Sequence, residues 1–452
     1  MEANYGILCF IPVIVVIALA IWTKRTLISL IGGIFAGWII VEKQDFLWRT
    51  VDSAITTSSD ADTIWMVVVC GLFGSLTLLI QKSGGAKSFG NFLGSKAKGE
   101  KSALFLTWLL GLFIFVDDYL NCLVLGSTMK KVTDKYKIAR EYLAYVVDST
   151  AGPICILLPF STWAVYSAGL IESNGLAVEG KGIQMYIQSI PFTIYPIVAV
   201  LLVLLVIYGI MPKMPPLEAA CKRAKETGLL APEGSKDIAI KEIEDGQQGN
   251  GNMWNFIVPM VVLIGVTLYY DIDLLYGTVA AVVVSIIMFM VQKLMTLKEA
   301  STAIFEGFQS MLMPLCIIIA AFMLKDVNDQ LGLTNFVIDS IMPYMNQNLL
   351  PALTFIVVAA LGFFTGANWG TWAITLPIVV PLAIAADVNM LLVLGAVWSG
   401  GGFGTHMCPW GDATVLSSAA SGCDNLAHVK TQLPLAITGA LFTIVVYLVL
   451  GF

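Results

Sequence analysis

The stretch FVDDYLN at 115–121 sets two adjacent carboxylates, Asp117 and Asp118, inside an otherwise apolar segment. Before it, Ser102 to Val116 reads SALFLTWLLGLFIFV, fifteen residues without a charge; after it, a second apolar run spans Cys122 to Gly126. An ionised carboxylate in hydrocarbon costs several kcal/mol, so a pair placed there marks a functional-site candidate.

Outward from this pair the chain is a series of apolar blocks. Of 452 residues, 58% are hydrophobic and 12% charged, about half the charge of a soluble domain. Spans of bilayer length are expected at Tyr5–Trp22, Leu27–Val41, Ile64–Gln81, Tyr142–Leu170 and Ser189–Met211. Tyr142–Leu170 is too long for one regular helix and is expected to break at Gly152-Pro153 and at Pro159. The acidic leader MEAN ahead of the first run reads as the start of a retained membrane helix, not of a cleaved signal. Residues 213–252, rich in charge and turn formers, read as a hydrophilic loop without a core of its own. The eight cysteines contain no CxxC pair and read as small buried hydrophobes.

The second half repeats the first. At an offset of 250, Asp118 falls on Asn368, Tyr119 on Trp369, Ser149 on Ser399, Gly152 on Gly402, Pro159 on Pro409 and Ser167 on Ser417. One shared register points to internal duplication, with repeats at 1–212 and 253–452 joined by 213–252. Basic residues orient the copies. With the N-terminus outside and 102–129 as a hairpin entering and leaving on one face, 21 Lys and Arg lie inside and only Lys43, Arg49, Lys181 and Lys325 outside. Each repeat then has five crossings and one re-entrant hairpin, and the odd number inverts the second copy. The second hairpin is expected at Leu350–Ala383, with GANWGTW (366–372) at its apex. The expected fold is therefore an all-α polytopic membrane protein of two inverted repeats, each with a re-entrant hairpin and a broken helix. Both termini are expected outside and 213–252 in the cytoplasm, in a plasma membrane.

The broken helices add polar groups: Asp148, Ser149, Thr150, Ser161 and Thr162 in the first copy, Thr405, His406, Asp412, Thr414, Ser417 and Ser418 in the second. Carbonyls freed by glycine and proline, together with hydroxyls, are hard oxygen ligands suited to Na⁺, and carboxylates exchange protons. No Lys or Arg remains to clamp an anion between the hairpins, so the direct reading is a cation site, with Na⁺ at Asp118, Asp148 and Asp412. Simpler roles stand beside these: Asp117 or Asp118 as a helix cap, Asp148 likewise, His406 as a satisfied core histidine, and Trp163, Trp369, Trp372 and Trp410 as packing aromatics. His428 is assigned to an inside loop, and Asp60 and Asp62 to capping. No basic patch suggests nucleic acid. Neither GxxxxGK[ST], HExxH nor GxGD occurs, so an ATP-driven pump and intramembrane proteases are unsupported, and the chain reads as a non-enzyme.

FVDDYLN, the following REYLAYVVDSTAGP and the second-half GTHMCPWGDATVLSSAASGCD together resemble the NhaC family of Na⁺/H⁺ antiporters, over essentially the whole chain. The resemblance implies inverted repeats, a homodimer, and Na⁺/H⁺ exchange by alternating access; alternatively, Na⁺- or H⁺-coupled movement of an amino acid or a small carboxylate of the malate or lactate type. It puts Asp117, Asp118, Asp148, Ser149, Thr150, Asn368, Thr405 and Asp412 in or near the site. An organic solute would be lined by Tyr119, Asn121, Trp163, Trp369, Thr371, His406 and Trp410. The lipid bilayer and small cations are the expected partners, and no cofactor is implied beyond the exchanged ions.

Overall fold

The chain is described here from a computed structural model covering residues 5–23, 25–178, 180–232, 235, 251–333, 336, 346–366 and 368–452. Among the described residues it is helical, without strands. Seven helices are long and apolar enough to cross a membrane, or nine if each of two bent pairs counts as one span. The molecule is a multi-pass membrane protein.

The first half opens with α1 (Ile11–Thr23), α2 (Thr26–Glu42), α3 (Phe46–Ser58) and α4 (Ala61–Ser83), then the short α5 (Gly85–Gly94). Next come α6 (Glu100–Phe113) and α7 (Asp118–Lys135), separated by the four residues ahead of Asp118. The pair α8 (Arg140–Leu157) and α9 (Thr162–Ser173) is bent by 42°. A second bent pair follows: α10 (Gly182–Ser189) with its 3₁₀ extension, and α11 (Ile194–Tyr208), at 52°. After α12 (Pro215–Thr227), the order resumes with α13 (Trp254–Tyr269), α14 (Leu274–Val291), α15 (Leu297–Ser310) and α16 (Leu312–Gln330). The last five are α17 (Leu350–Thr365), α18 (Asn368–Ala385), α19 (Met390–His406), α20 (Asp412–Ser421) and α21 (Asn425–Gly451).

Three helix starts coincide at the sequence offset of 250: Asp118 with Asn368, Arg140 with Met390, and Thr162 with Asp412. Local chemistry sets them. Asp117 caps α7 by accepting the Leu120 N–H at 3.0 Å, and Ser161 caps α9 by accepting the Ala164 N–H at 3.1 Å. Leu158, which precedes Pro159, is extended (φ −104°, ψ 125°) and ends α8, as the steric bulk of a following proline favours.

Several expectations are corrected. Gly152-Pro153 does not interrupt the helix: Pro153 lies inside α8, and only the segment after Leu157 breaks. The glycines of SGGGFG (399–404) stay helical in α19 and serve close packing. A Cβ on Gly400 would stand 2.8 Å from the Phe355 carbonyl oxygen and one on Gly404 2.8 Å from the Phe363 nitrogen, so α17 and α19 touch backbone to backbone. Ser189–Met211 is not one clean span. Pro191 imposes a 3₁₀ turn at Ile190–Phe192, and the Phe192 carbonyl accepts from Tyr447 Oη at 2.8 Å. The loop expected at 213–252 contains α12, whose Leu217, Ala220, Cys221 and Ala224 are buried; residues 236–250 lie outside the described set. Helix α3, amphipathic and partly polar, occupies a stretch left between the spans expected at Leu27–Val41 and Ile64–Gln81.

Candidate functional site

The apex between α6 and α7 fits into the break between α8 and α9. Val116 O accepts the Thr162 N–H at 3.1 Å, and Phe115 O accepts from Cys155 Sγ at 3.2 Å. Asn121, fully buried, donates from Nδ2 to Gly111 O at 2.9 Å, Ile114 O at 2.7 Å and Thr150 O at 3.1 Å. One amide thus ties the end of α6 to α8, and its Oδ1 is left buried without a partner. The Thr150 hydroxyl is turned back to Val146 O at 2.8 Å and packs at Gly111, facing α6. Asn121 and Thr150 build the apex.

Around that apex the candidate residues fall into three contiguous groups. Asp118 is 6% exposed and accepts from Trp163 Nε1 at 3.2 Å. The neighbouring Tyr119 reaches the second half of the chain, its hydroxyl donating to Asp412 Oδ2 at 2.9 Å. Asp412 opens α20 and is exposed, as is Tyr119, so this group runs from a buried carboxylate to an open one. Of the described ion pairs, none joins a Lys or Arg to Asp117, Asp118, Asp148 or Asp412.

The second group surrounds Asp148. Its Oδ2 accepts from Gln432 Nε2 at 2.6 Å, lies 3.2 Å from His428 Nε2 and 4.0 Å from His406 Nε2. His406 Nε2 is also 3.2 Å from Ser149 Oγ, while its Nδ1 is 2.7 Å from Tyr195 Oη. His428 Nε2 further approaches Ser417 Oγ at 3.4 Å. Placing His428 on a loop is therefore wrong: it is fully buried in α21, one turn before Gln432. Sequence reasoning missed His428, Gln432 and Tyr195. The available signal was a His and a Gln four apart, on one helix face, at the entry to the apolar run 433–451.

The third group is the second-half counterpart of the apex. Asn368 Nδ2 donates to Thr405 Oγ1 at 2.7 Å, and Thr405 Oγ1 donates to Gly401 O at 3.1 Å. Asn368 Oδ1 and Trp372 Nε1 are both buried without partners beside Gly401. Thr371 Oγ1 lies 3.2 Å from Thr365 Oγ1. Trp369 packs on Tyr166 (ring centroids 4.5 Å) and on Trp163 (5.6 Å), and Tyr166 Oη donates to Trp369 O. Trp410 packs on Phe363 at the rim, 39% exposed. Trp163, Trp369 and Trp372 form one packed cluster linking the two apices.

The carboxylates are not gathered into one cage. Among the described residues, no group of three or more His, Cys, Asp and Glu side chains is placed to hold a metal ion. Asp148 belongs to a different hydrogen-bonded group from Asp118 and Asp412. Chemically, the first group offers oxygen without fixed positive charge, and the second a carboxylate already supplied with donors.

Comparison with known proteins fits this architecture. Over 98% of this chain and 90% of its own length, an uncharacterised Haemophilus influenzae protein is 28% identical. A malate-2H⁺/Na⁺-lactate antiporter of Bacillus subtilis is 31% identical over a shorter stretch, 24% of this chain and 23% of that one. An uncharacterised Na⁺/H⁺ antiporter of Haemophilus influenzae is 30% identical over 21% of this chain and 20% of its own. Two solved structures share the fold at 12% and 13% identity: Neisseria gonorrhoeae MtrF (TM-score 0.57, covering 90% of this chain and 85% of that one) and the Alcanivorax borkumensis YdaH transporter (0.58, 90% and 88%). The profile of the Na⁺/H⁺ antiporter family matches residues 154–452, which include α9, the second apex and the whole Asp412 segment. The chain belongs to the Na⁺/H⁺ antiporter family, and is a secondary transporter of that type.

Proposed function

We propose that the protein exchanges Na⁺ for H⁺ by alternating access, with Asp118 as the carboxylate for which the two ions compete. The observation that carries this reading is the setting of Asp118: buried, held by a neutral indole N–H, and without a Lys or Arg counter-charge among the described ion pairs. A buried carboxylate so placed binds a cation or a proton, because leaving it charged and unpaired in a low-dielectric site is costly. Asp412, joined to the same segment through Tyr119, supplies a second, exposed carboxylate. Asn368 Oδ1, the Thr405 hydroxyl and the carbonyls of the two helix breaks are further hard oxygens. Asp117 contributes mainly by capping α7. Asp148 with Ser149 belongs to the neighbouring group, its carboxylate already hydrogen-bonded by Gln432 and beside His428.

In the same reading, 1–212 and 253–452 are inverted repeats, and α6–α7 and α17–α18 are re-entrant hairpins. Both termini lie outside a plasma membrane, the 213–252 segment lies inside, and two copies form a homodimer. The matching helix starts support the repeats, and the inward bias of Lys and Arg supports the orientation. The chemistry asks for no enzymatic step and no cofactor.

The test is purified protein in liposomes carrying an interior pH dye, with imposed Na⁺, Li⁺ or K⁺ gradients, alone and with malate, lactate or amino acids. Proton movement driven by Na⁺ alone is expected, and Asp118→Asn is expected to abolish it while the protein elutes as the wild type does. Proton movement that required an organic solute would refute cation exchange in favour of coupled solute transport.

A further inference from the structure

At the end of the molecule where α6 begins and α11 ends, a cavity of 240 Å³ has Glu100, Lys101, Lys213 and Lys225 in its lining. Three ammonium groups meet one carboxylate there. Glu100 takes both Lys225 at 2.7 Å and Lys213 at 3.3 Å, so a single negative charge serves two lysines. Among the described residues, the ammonium of Lys101 meets a backbone partner, the Tyr208 carbonyl at 3.4 Å, and no carboxylate. The lining therefore carries two positive charges in excess.

The cavity also has an apolar continuation. Along the face of α11 leading away from it, Leu201, Leu205 and Tyr208 are exposed. Phe105 packs on Trp108 (5.8 Å) and near Tyr208 (6.4 Å) on that side. Amphipathic aromatics of this kind mark the headgroup level of a bilayer, and basic pockets beside spanning helices suit lipid phosphates. We infer that this cavity is a binding site for an anionic phosphodiester. The apolar strip beside it favours a membrane phospholipid, with its headgroup among Lys101, Lys213 and Lys225 and an acyl chain along α11. The site is independent of the ion site proposed above. Its elements do include α12, so lipid occupancy would steady the segment joining the two halves.

Native mass spectrometry of detergent-purified protein tests this, with phosphatidylglycerol, phosphatidylcholine of the same acyl chains, and inorganic phosphate as probes. The wild type is expected to retain phosphatidylglycerol in preference to phosphatidylcholine. Lys101→Gln, which breaks no carboxylate pair, should reduce that retention roughly five-fold, the effect of about one interfacial lysine, and Lys101→Gln/Lys225→Gln should reduce it further. If the double variant loses its native elution profile, Lys101→Gln alone decides. Equal retention of the two lipids, unchanged retention in Lys101→Gln, or displacement of the lipid by an equal concentration of inorganic phosphate would overturn the assignment.

Discussion

At the residue scale, the ion pairs that organise the linker end share no residue with the proposed ion site and set stability, not transport. Glu141, at the start of α8, is 2% exposed and held by Arg223 of α12 through two contacts of 2.9 Å. Removing one partner of such a pair strands a buried charge and costs roughly 3–5 kcal/mol. Because Arg223 remains partly exposed, Arg223→Ala is expected to cost about 3 kcal/mol, at the low end of that range. Denaturant unfolding in mild detergent reads this out, and Glu141→Gln in the same background should recover part of the loss. Glu100 titrates with the same interface. Burial alone would raise its pKa, but the hydrogen bond from Lys225 and the charges of Lys213 and Lys225 outweigh it and hold the carboxyl below the usual glutamate range. A depressed folded-state value stabilises above the unfolded pKa and is lost as pH falls through the folded one. The protection of amides in 215–227 against hydrogen exchange, taken relative to the intrinsic rate at each pH, should therefore be high at neutral pH and fall only on acidification below the ordinary glutamate range. Protection independent of pH across that range would separate Glu100 from the docking of α12.

At the element scale, what was legible in the sequence depended on whether a boundary had a local chemical cause. Asp117, Ser161 and Pro159 are short-range signals, and the starts of α7 and α9 and the end of α8 follow from them. The starts of α18, α19 and α20 fall 250 residues after those of α7, α8 and α9, a spacing the residue matches share. The bend at Ile190–Phe192 was missed because the run 189–211 is uniformly apolar, and hydropathy cannot distinguish a straight helix from one kinked at Pro191. The glycines of α19 were misread because glycine signals both unwinding and close packing; only a neighbouring backbone, here α17, separates the two. Helix α12 was missed because its buried face has four small or medium side chains among lysines and glutamates. His428 was missed because the polar turn that opens α21 resembles a loop until Asp148 is set opposite it. A matched pair of variants tests the packing reading. Gly404→Ala would drive a methyl group into the α17 backbone and is expected to cost about 1–3 kcal/mol. Gly265→Ala, with nothing within 4 Å of the added carbon, should be neutral or slightly stabilising in the same thermal denaturation assay.

At the scale of the whole molecule, the account depends on two related halves meeting at their apices. Trp163 of the first half touches Trp369 and Trp372 of the second, and Tyr119 bonds Asp412 across the same junction. Exchange through such a junction requires opposite faces to be reached in turn, so orientation in the membrane is part of the claim. In a Cys316→Ser background, Ser59→Cys should react with an impermeant thiol reagent from outside intact cells, and Glu218→Cys only after permeabilisation; the reverse pattern would invert the topology. The central claim, competition of Na⁺ and H⁺ for one buried carboxylate, is tested most directly by following proton release when NaCl is added to purified protein in weakly buffered detergent solution. The wild type should release protons on Na⁺ addition and not on addition of choline chloride, and Asp118→Asn should release none. Undiminished release from Asp118→Asn would contradict the account.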